Sequence, residues 1–233
     1  MKVLAVVAHP DDMECYCAGT LLKCAERGDE VLVCHVLNGA LGHVSIARDE
    51  LIKIREQEEQ NSAKIGGFKS ISLNIDDLDL YDNKKNRDKI VKIIKDFSPD
   101  FIITHHPEDY MVDHNTVSKL VFDASFAATL PQYDVCKGTA AKCVPVFFME
   151  TDCGINFNPV FYVDISDCMD KKISMLKCHK SQYEWLRNHD GIDLSEQVLT
   201  ISRFRGYQSG VKYAEAFTQC RVNLKMCCKR LLP

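Results

Sequence analysis

Two short segments of the sequence concentrate imidazole and carboxylate side chains. One is HPDDME at residues 9–14, and the other is HHPEDYMVDH at residues 105–114. Imidazole nitrogens and carboxylate oxygens suit zinc or another divalent first-row ion, and three protein ligands leave an open position for a reacting water. If the fold brings the two segments together, they predict a metal-binding site.

Single residues of these segments also have simpler interpretations. Asp is favoured just before the first turn of a helix, so Asp11, Asp12 and Asp113 could each cap a helix. His9 could be a hydrogen-bonded histidine of the core. The joint occurrence of these residues favours a metal-binding site, because capping requires neither two adjacent aspartates after a histidine nor an Asp-His pair in the other segment.

Both segments follow short apolar runs, which predict their place in the fold. Runs of this kind are typical of strands buried on both faces, and they occur at residues 2–8, 30–37, 70–75, 100–104 and 144–149. Between them, apolar residues at helical spacing predict helices at 15–27, 47–64 and 86–97. This alternation predicts an α/β fold, a Rossmann-like doubly wound and mostly parallel sheet.

The predicted fold brings the two polar segments to one site. In a doubly wound sheet, ligands bind beyond the carboxyl ends of the strands, commonly between the first and fourth strands, and the two segments follow those strands. The first segment has no GxGxxG motif, which argues against a nicotinamide or flavin cofactor. After a long loop at 130–142 we expect a C-terminal α+β extension of the same single domain, residues 1–233.

Composition limits the partners. The 233 residues include 29 basic and 33 acidic side chains and carry a net charge of −4, without a basic stripe, which argues against nucleic acid. The apolar run at 3–8 is too short for an export signal, and no apolar stretch approaches about 18 residues. We expect a cytoplasmic protein without membrane insertion that acts on a small molecule. Homo-oligomer formation is left open.

The 12 cysteines are irregularly spaced and include no CxxC pair. A structural zinc site usually begins with such a pair, and a disulfide framework is typical of short secreted chains. We therefore expect most of these cysteines to be reduced side chains of the core.

Five motifs together carry a resemblance to a known family: AHPDDMECYCAGTL, DFIITHHPEDYMVDH, CHKSQ, SRFRG and YAEAF. The chain resembles the zinc-dependent N-acetylglucosamine de-N-acetylases, which include the deacetylases of N-acetylglucosaminyl-phosphatidylinositol and of the mycothiol and bacillithiol pathways. The position of Glu14 and the closing YAEAF look most similar to the bacillithiol-type branch.

The resemblance implies a function and a site. His9, Asp12 and His114 match the metal ligands of the family, and Asp11 matches its general base. The implied reaction is metal-dependent hydrolysis of an N-acetyl group on an N-acetylglucosamine-type sugar conjugate, which releases acetate and a free amine. Zinc, or another divalent first-row metal, is the implied cofactor.

One position departs from the family pattern. Met111 stands where relatives have a histidine that helps to stabilise the oxyanion, and methionine donates no hydrogen bond. Asp113 then loses that imidazole partner and is expected to orient a metal ligand instead. Of the donors on the same loop, His106 is the first candidate to replace the histidine and Tyr110 the second, unless both merely pack the loop.

Weaker matches suggest residues that contact the substrate. Arg55 resembles the arginine of an RxxE motif, and Asp77 follows the third strand, where relatives often have an aspartate near the sugar. Tyr110 and Met111 belong to the same candidate set. Arg203 and Arg205, in SRFRG, could bind a carboxylate or phosphate on the aglycone. Each charged residue of these sets could equally be a surface charge.

Three other functions remain as alternatives. Iron oxygenases also use two histidines and a carboxylate, but on β-barrels that the predicted alternation contradicts. A receiver-like signalling domain gathers acidic residues at strand ends, although the histidines and the chain length argue against it. A catalytically inactive metal-binding or sugar-binding relative is favoured only by Met111.

Overall fold

The seven strands found in the described part of the chain join one sheet. The computed structural model describes residues 1–135, 139–226 and 229–233, and the strand order is β3-β2-β1-β4-β5-β7-β6. The strands are β1 (Lys2–Val7), β2 (Glu30–Leu37), β3 (Lys69–Ile75), β4 (Phe101–Thr104), β5 (Val146–Met149), β6 (Phe161–Asp164) and β7 (Ala214–Gln219).

Of the described strands, β1 to β6 run in the same direction, and β7 runs opposite to them. β1 lies between β2 and β4 and pairs in parallel with both, and β4 pairs in parallel with β5. β7 pairs antiparallel with β5 and with β6. The carboxyl ends of β1 and β4 are therefore neighbours, as predicted, at the point where the chain changes its direction of winding.

Helices connect the strands. They are α1 (Asp12–Tyr16), α2 (Ala18–Glu26), α3 (Arg48–Gly66), α4 (Lys84–Phe97), α5 (Val112–Ala127), α6 (Met169–Leu176), α7 (Lys180–Trp185) and α8 (Leu194–Ser209). A 3-10 turn covers Asp152–Gly154, and a π-helical segment, Leu186–Asp190, continues α7.

The core has two layers, one on each face of the sheet. Alternate residues of β1 divide between them, with Val3 and Ala5 in one buried cluster and Leu4 and Val6 in the other, because successive side chains of a strand point to opposite faces. The first cluster includes apolar side chains of α2, α6 and α8, and the second includes those of α4 and α5. The predicted doubly wound α/β fold with an α+β extension is thus confirmed.

Two local predictions were wrong. The strand predicted at 70–75 was expected to be buried on both faces, but β3 is an edge strand with several exposed residues. The helix predicted at 15–27 is interrupted at Cys17, whose φ of −145° is not helical, so that α1 and α2 are separate. Of the loop predicted at 130–142, residues 136–138 lie outside the described residues.

Two further observations bear on the class of protein. Within the described ranges, no helix is both long enough and apolar enough to cross a membrane. Nine cysteines of the described part form no disulfide, and five of these are buried. Cys136, Cys227 and Cys228 lie outside that part.

Candidate metal centre and its cleft

The turn after β1 holds the first half of the site. Asp12 is the first residue of α1, and its Oδ2 accepts a hydrogen bond from the backbone N–H of His9 at 2.6 Å. Asp11, between them, has a φ of 103°, which a side chain other than glycine adopts only at a cost in energy. Arg55 of α3 stabilises this turn, since its guanidinium donates to the carbonyl of Pro10 and, at 3.0 Å, to Asp11 Oδ2.

The loop after β4 and the first turn of α5 supply the second half. His114 is fully buried there, and its Nε2 lies 3.3 Å from Asp12 Oδ1. His9 Nδ1 lies 3.4 Å from Asp12 Oδ2. One ligand atom from each of these three residues lies within 4.8 Å of the other two. The parallel pairing of β1 and β4 thus brings together residues that are 105 positions apart in the sequence.

A second carboxylate supports each histidine. Asp113 Oδ2 lies 3.3 Å from His9 Nε2 and accepts the backbone N–H of Leu78 at 3.0 Å. Asp109 Oδ2 lies 3.2 Å from His114 Nδ1. Carboxylates in this position fix the orientation of metal-binding imidazoles. Sequence reasoning assigned this kind of role to Asp113 but missed Asp109.

Asp109 is itself fixed by the backbone. Its side chain accepts N–H groups from Met111 at 3.0 Å and from Asp152 at 3.1 Å, so that it ties the β4 loop to the turn after β5. In the sequence, Asp109 is one of several acidic residues in the second polar segment, and nothing there distinguishes it from the others.

The pKa values reflect the crowding of carboxylates around the two histidines. Burial lowers the pKa of His9, but Asp113 and Asp12 outweigh burial and raise it to about 9. Burial likewise lowers the pKa of His114, and Asp12 and Asp109 raise it to about 10. Burial raises the pKa of Asp12, but His114 and His105 lower it further, to well below its usual range. The centre therefore strongly favours positive charge.

These residues fit a divalent metal ion. The Nε2 atom of His114 is buried without a hydrogen-bond partner, which is costly unless another group binds it. Two imidazoles and one carboxylate form a three-ligand set with room for a further ligand, as in catalytic zinc sites. The helix-capping interpretation fails for Asp11 and Asp113: Asp11 makes no capping bond, and Asp113 accepts from a different segment.

Asp11 lies beside the three-residue centre and lines the adjoining cleft. Burial raises its pKa, and Arg55 opposes that effect. A carboxylate whose pKa is raised is a stronger proton acceptor than an ordinary aspartate.

His105 is a buried neighbour of the centre that sequence reasoning did not single out. Its ring stacks on that of His114 with centroids 3.9 Å apart, and its Nε2 accepts the backbone N–H of Ala8 at 2.9 Å. Burial and the nearby His114 lower its pKa to about 4, which keeps it neutral. His105 therefore packs against His114 without adding charge to the centre.

Sequence reasoning noted Glu14 for its position but did not foresee its buried pairing with His179. His179 Nε2 lies 3.1 Å from Glu14 Oε1, and Ser62 donates to the same oxygen. Burial raises the pKa of Glu14, but His179 outweighs it and lowers that pKa, while Glu14 in turn raises the pKa of His179. This pair lies behind Asp11 and joins α1 to the start of α7.

The centre opens into a cleft of about 510 Å³, a size that suits a small-molecule ligand. His9 and Asp12 of the metal centre line it, as do the four substrate-contact candidates Arg55, Asp77, Tyr110 and Met111. The other lining residues include apolar side chains from the segment 186–201. Asp11, Asp113, Asp152 and Gln182 add polar groups to the lining, and Leu41 and Leu78 add aliphatic ones.

Arg55 and Asp77 reach the cleft while already bonded to the protein. Arg55 also donates to Gly39 O and Gln182 Oε1, both at 3.2 Å. The two carboxylate oxygens of Asp77 accept the N–H groups of Gly39 and Leu41, each at 2.8 Å. Both side chains shape the wall of the cleft at residues 39–41, and their contact with substrate stays a prediction.

The structure separates the two candidate donors of the β4 loop. His106 does not lie among the cleft residues; its ring packs edge-on against Phe148 and Phe157, with centroids 6.0 and 5.4 Å apart. Tyr110 and Met111 do line the cleft, and Tyr110 is 77% exposed. The geometry therefore favours Tyr110, the second candidate, over His106.

The two arginines of SRFRG do not face the cleft. Arg205 is buried and donates through Nε to both oxygens of Glu150, at 2.8 and 3.0 Å. Arg203 donates to the hydroxyl of Tyr213 at 3.0 Å. Neither of them lines the cleft, so the expectation that one of them binds an anionic aglycone lacks support in the structure.

Fold and centre together define a class of protein. It is an α/β protein with a buried His-Asp-His centre at the carboxyl edge of its sheet, backed by two carboxylates and open to a cleft. The chain belongs to the PIG-L family of GlcNAc-PI de-N-acetylases, whose family model matches residues 4–125. The resemblance inferred from the motifs is confirmed.

Individual relatives agree with the family. The chain is 30% identical to the diacetylchitobiose deacetylase of Thermococcus kodakarensis, over 92% of this chain and 81% of that protein. It is 27% identical to a Bacillus cereus protein named "Probable N-acetyl-alpha-D-glucosaminyl L-malate deacetylase 2", over 78% of this chain and 84% of that one. The solved N,N'-diacetylchitobiose deacetylase of Pyrococcus horikoshii superposes with a TM-score of 0.83 at 27% identity, covering 94% and 83% of the two chains.

Proposed function

We propose that this protein is a metal-dependent hydrolase that removes the N-acetyl group from an N-acetylglucosamine-type sugar conjugate, releasing acetate and a free amine. The observation that carries the proposal is the centre formed by His9, Asp12 and His114, with the carboxylate of Asp11 beside it in a cleft. Membership of the family and the names of the relatives support the reaction.

We propose zinc, or another divalent first-row metal, as the cofactor. Bound by the three ligands, such an ion supplies Lewis acidity at the acetamide carbonyl and lowers the pKa of a water. Asp113 and Asp109 hold the two imidazoles in the orientation that leaves one nitrogen of each free to bind it.

Asp11 is the proposed proton acceptor. Its carboxylate takes the proton of the attacking water and can return it to the leaving amine, so that one residue serves both steps. Arg55 keeps Asp11 in place by binding both its side chain and the carbonyl of Pro10. The backbone at Asp11 is left-handed, and its carboxylate lies 3.0 Å from the Arg55 guanidinium.

Tyr110 is the proposed donor to the oxyanion. Met111 supplies no hydrogen bond, and Tyr110 is the hydroxyl of the same loop that lines the cleft. We retain the cytoplasmic location as a proposal, which the unpaired cysteines of the described part support.

The test is acetate release by zinc-loaded protein from a panel of N-acetylglucosamine conjugates. The change Asp11→Asn is expected to lower turnover by roughly 100- to 10,000-fold, because it removes the general base while keeping the shape of the side chain. Its zinc content, measured by metal analysis, should equal that of the wild type. The exposed Asp79 offers a matched control, Asp79→Asn.

Two outcomes would overturn the proposal. If wild-type protein with zinc releases no acetate from any conjugate, the inactive-relative interpretation is correct. If Asp11→Asn retains the turnover of Asp79→Asn, the base is another residue.

A further inference from the structure

The cleft has an apolar wall that the proposed chemistry does not use. Five aliphatic side chains, which we name the apolar wall, come from the end of α7 to the middle of α8: Leu186, Ile192, Leu194, Val198 and Ile201. None of them contacts the metal centre in the proposed mechanism. Because this wall lies in the same cleft, a group attached to a sugar at the centre can reach it.

Further aliphatic side chains lie on other sides of the same cleft. Leu41 and Leu78 line it and are 47% and 61% exposed, and Ile192 of the apolar wall is 41% exposed. Large aliphatic groups exposed together in a concave site are typical of a binding surface. Covering them with an apolar group of the ligand would remove them from water at a gain in free energy.

The charges of the cleft argue against an anionic ligand group. Among the described residues that line it, Arg55 is the single lysine or arginine, and its guanidinium already binds Asp11 and Pro10. Aspartates 11, 12, 77, 113 and 152 also line the cleft. Away from the metal centre, a carboxylate or phosphate on the ligand would find no free cation there.

The amide side chains near the wall are also engaged. Gln197 donates to Asp152 Oδ1 at 3.3 Å and to Cys153 Sγ at 3.0 Å, and Gln182 accepts from Arg55 at 3.2 Å. A second sugar would need partners for its hydroxyl groups when buried, whereas hydrocarbon needs none. The apolar wall therefore suits hydrocarbon better than carbohydrate.

We infer that the apolar wall binds an uncharged hydrocarbon aglycone attached to the N-acetylglucosamine unit. The inference rests on the proposed function, since it deepens the substrate class of that same cleft. It specifies neutral alkyl or aryl conjugates as ligands and excludes conjugates that carry a carboxylate on the aglycone.

Equilibrium binding tests the inference independently of turnover. The probes are the methyl glycoside, the hexyl glycoside and the malyl conjugate of N-acetylglucosamine, titrated by calorimetry into zinc-loaded Asp11→Asn protein, which is expected to hydrolyse them slowly. The hexyl glycoside is expected to bind at least tenfold more tightly than the methyl glycoside. This ratio corresponds to the free energy gained by burying about two methylene groups. The malyl conjugate is expected to bind no more tightly than methyl.

Ile192→Asn, added to the same protein, tests the position of the hydrocarbon. The hexyl-to-methyl affinity ratio is expected to fall by threefold or more, because a polar amide replaces part of the apolar wall. Ile192 is substantially exposed, so the fold tolerates this change. Ile65→Asn is the matched control, since Ile65 is 39% exposed on α3 and does not line the cleft.

The outcomes separate this inference from the proposed function. Equal binding of hexyl and methyl, tighter binding of the malyl conjugate, or an unchanged ratio in the Ile192→Asn protein would overturn the inference, even if acetate is released. Tighter hexyl binding that depends on Ile192, without acetate release by the wild type, would sustain the inference and reject the deacetylase function.

Discussion

At the scale of single residues, two aromatic side chains of the β4 loop are distinguished by what they touch. Tyr110 lines the cleft, whereas His106 packs against Phe148 and Phe157. If Tyr110 donates to the oxyanion, Tyr110→Phe is expected to lower turnover by about 100- to 1,000-fold, the effect of removing one preorganised donor. Steady-state acetate release at saturating substrate measures it, and zinc content should not change.

His106→Ala serves as the comparison in the same loop. It is expected to cost stability through lost ring packing but to change turnover of the folded protein by less than about tenfold. The reverse pattern, a slow His106→Ala protein beside an unaffected Tyr110→Phe protein, would restore the order inferred from the sequence.

Residue types predicted a metal site between the two polar segments, and the resemblance to the family implied its three members, which the structure brings together. His9 and Asp12 lie on one turn, and His114 follows the neighbouring strand. The sequence could not predict which ring of the β4 loop faces the cleft, since that depends on Phe148 and Phe157, two side chains distant in sequence.

At the scale of elements, Glu215 of β7 joins three parts of the fold. Its carboxylate accepts the N–H groups of Gly19 and Thr20, at 2.8 and 2.7 Å, and pairs with Lys172 Nζ at 2.6 Å. Both members of this ion pair are buried. Through it, the YAEAF motif fixes the start of α2 and the side of α6 against the sheet.

Glu215→Gln is expected to reduce the free energy of unfolding by about 3–5 kcal/mol, because it leaves the charge of Lys172 buried and uncompensated. Chemical denaturation followed by circular dichroism measures the change. The exposed Glu56 of α3 provides the control Glu56→Gln, for which no more than about 0.5 kcal/mol is expected. Equal midpoints for the two variants would contradict this role for Glu215.

Apolar runs predicted the central strands well because β1 and β4 are covered on both faces. The same rule failed for β3, whose position at the sheet edge leaves residues such as Ile71 exposed. The sequence pattern also failed to predict the break at Cys17. Apolar residues keep their helical spacing through Cys17, but its backbone is not helical. Edge position and local backbone breaks depend on tertiary neighbours.

At the scale of the whole molecule, the metal centre joins the ends of two central strands, so an ion bound there should stabilise the entire fold. With zinc at about 100 times its dissociation constant, binding adds about 2.7 kcal/mol to the free energy of unfolding. For a chain of this size that raises the Tm by about 5–10 °C. Calorimetry of chelator-treated protein, with and without added zinc, measures the shift.

His9→Ala removes one ligand and should lose most of that rise in Tm, whereas His189→Ala, at an exposed histidine, should retain it. A wild-type protein whose Tm does not respond to zinc, or a His9→Ala protein that responds fully, would show that His9, Asp12 and His114 do not bind the ion.

The metal centre and the apolar wall lie on different stretches of the chain. His9, Asp12 and His114 fall within the family-matched residues 4–125, while the wall falls at 186–201, beyond them. The metal ligands and the apolar wall can therefore change independently of each other. Substitutions in the apolar wall therefore change the lining of the cleft while every residue of the metal centre stays in place.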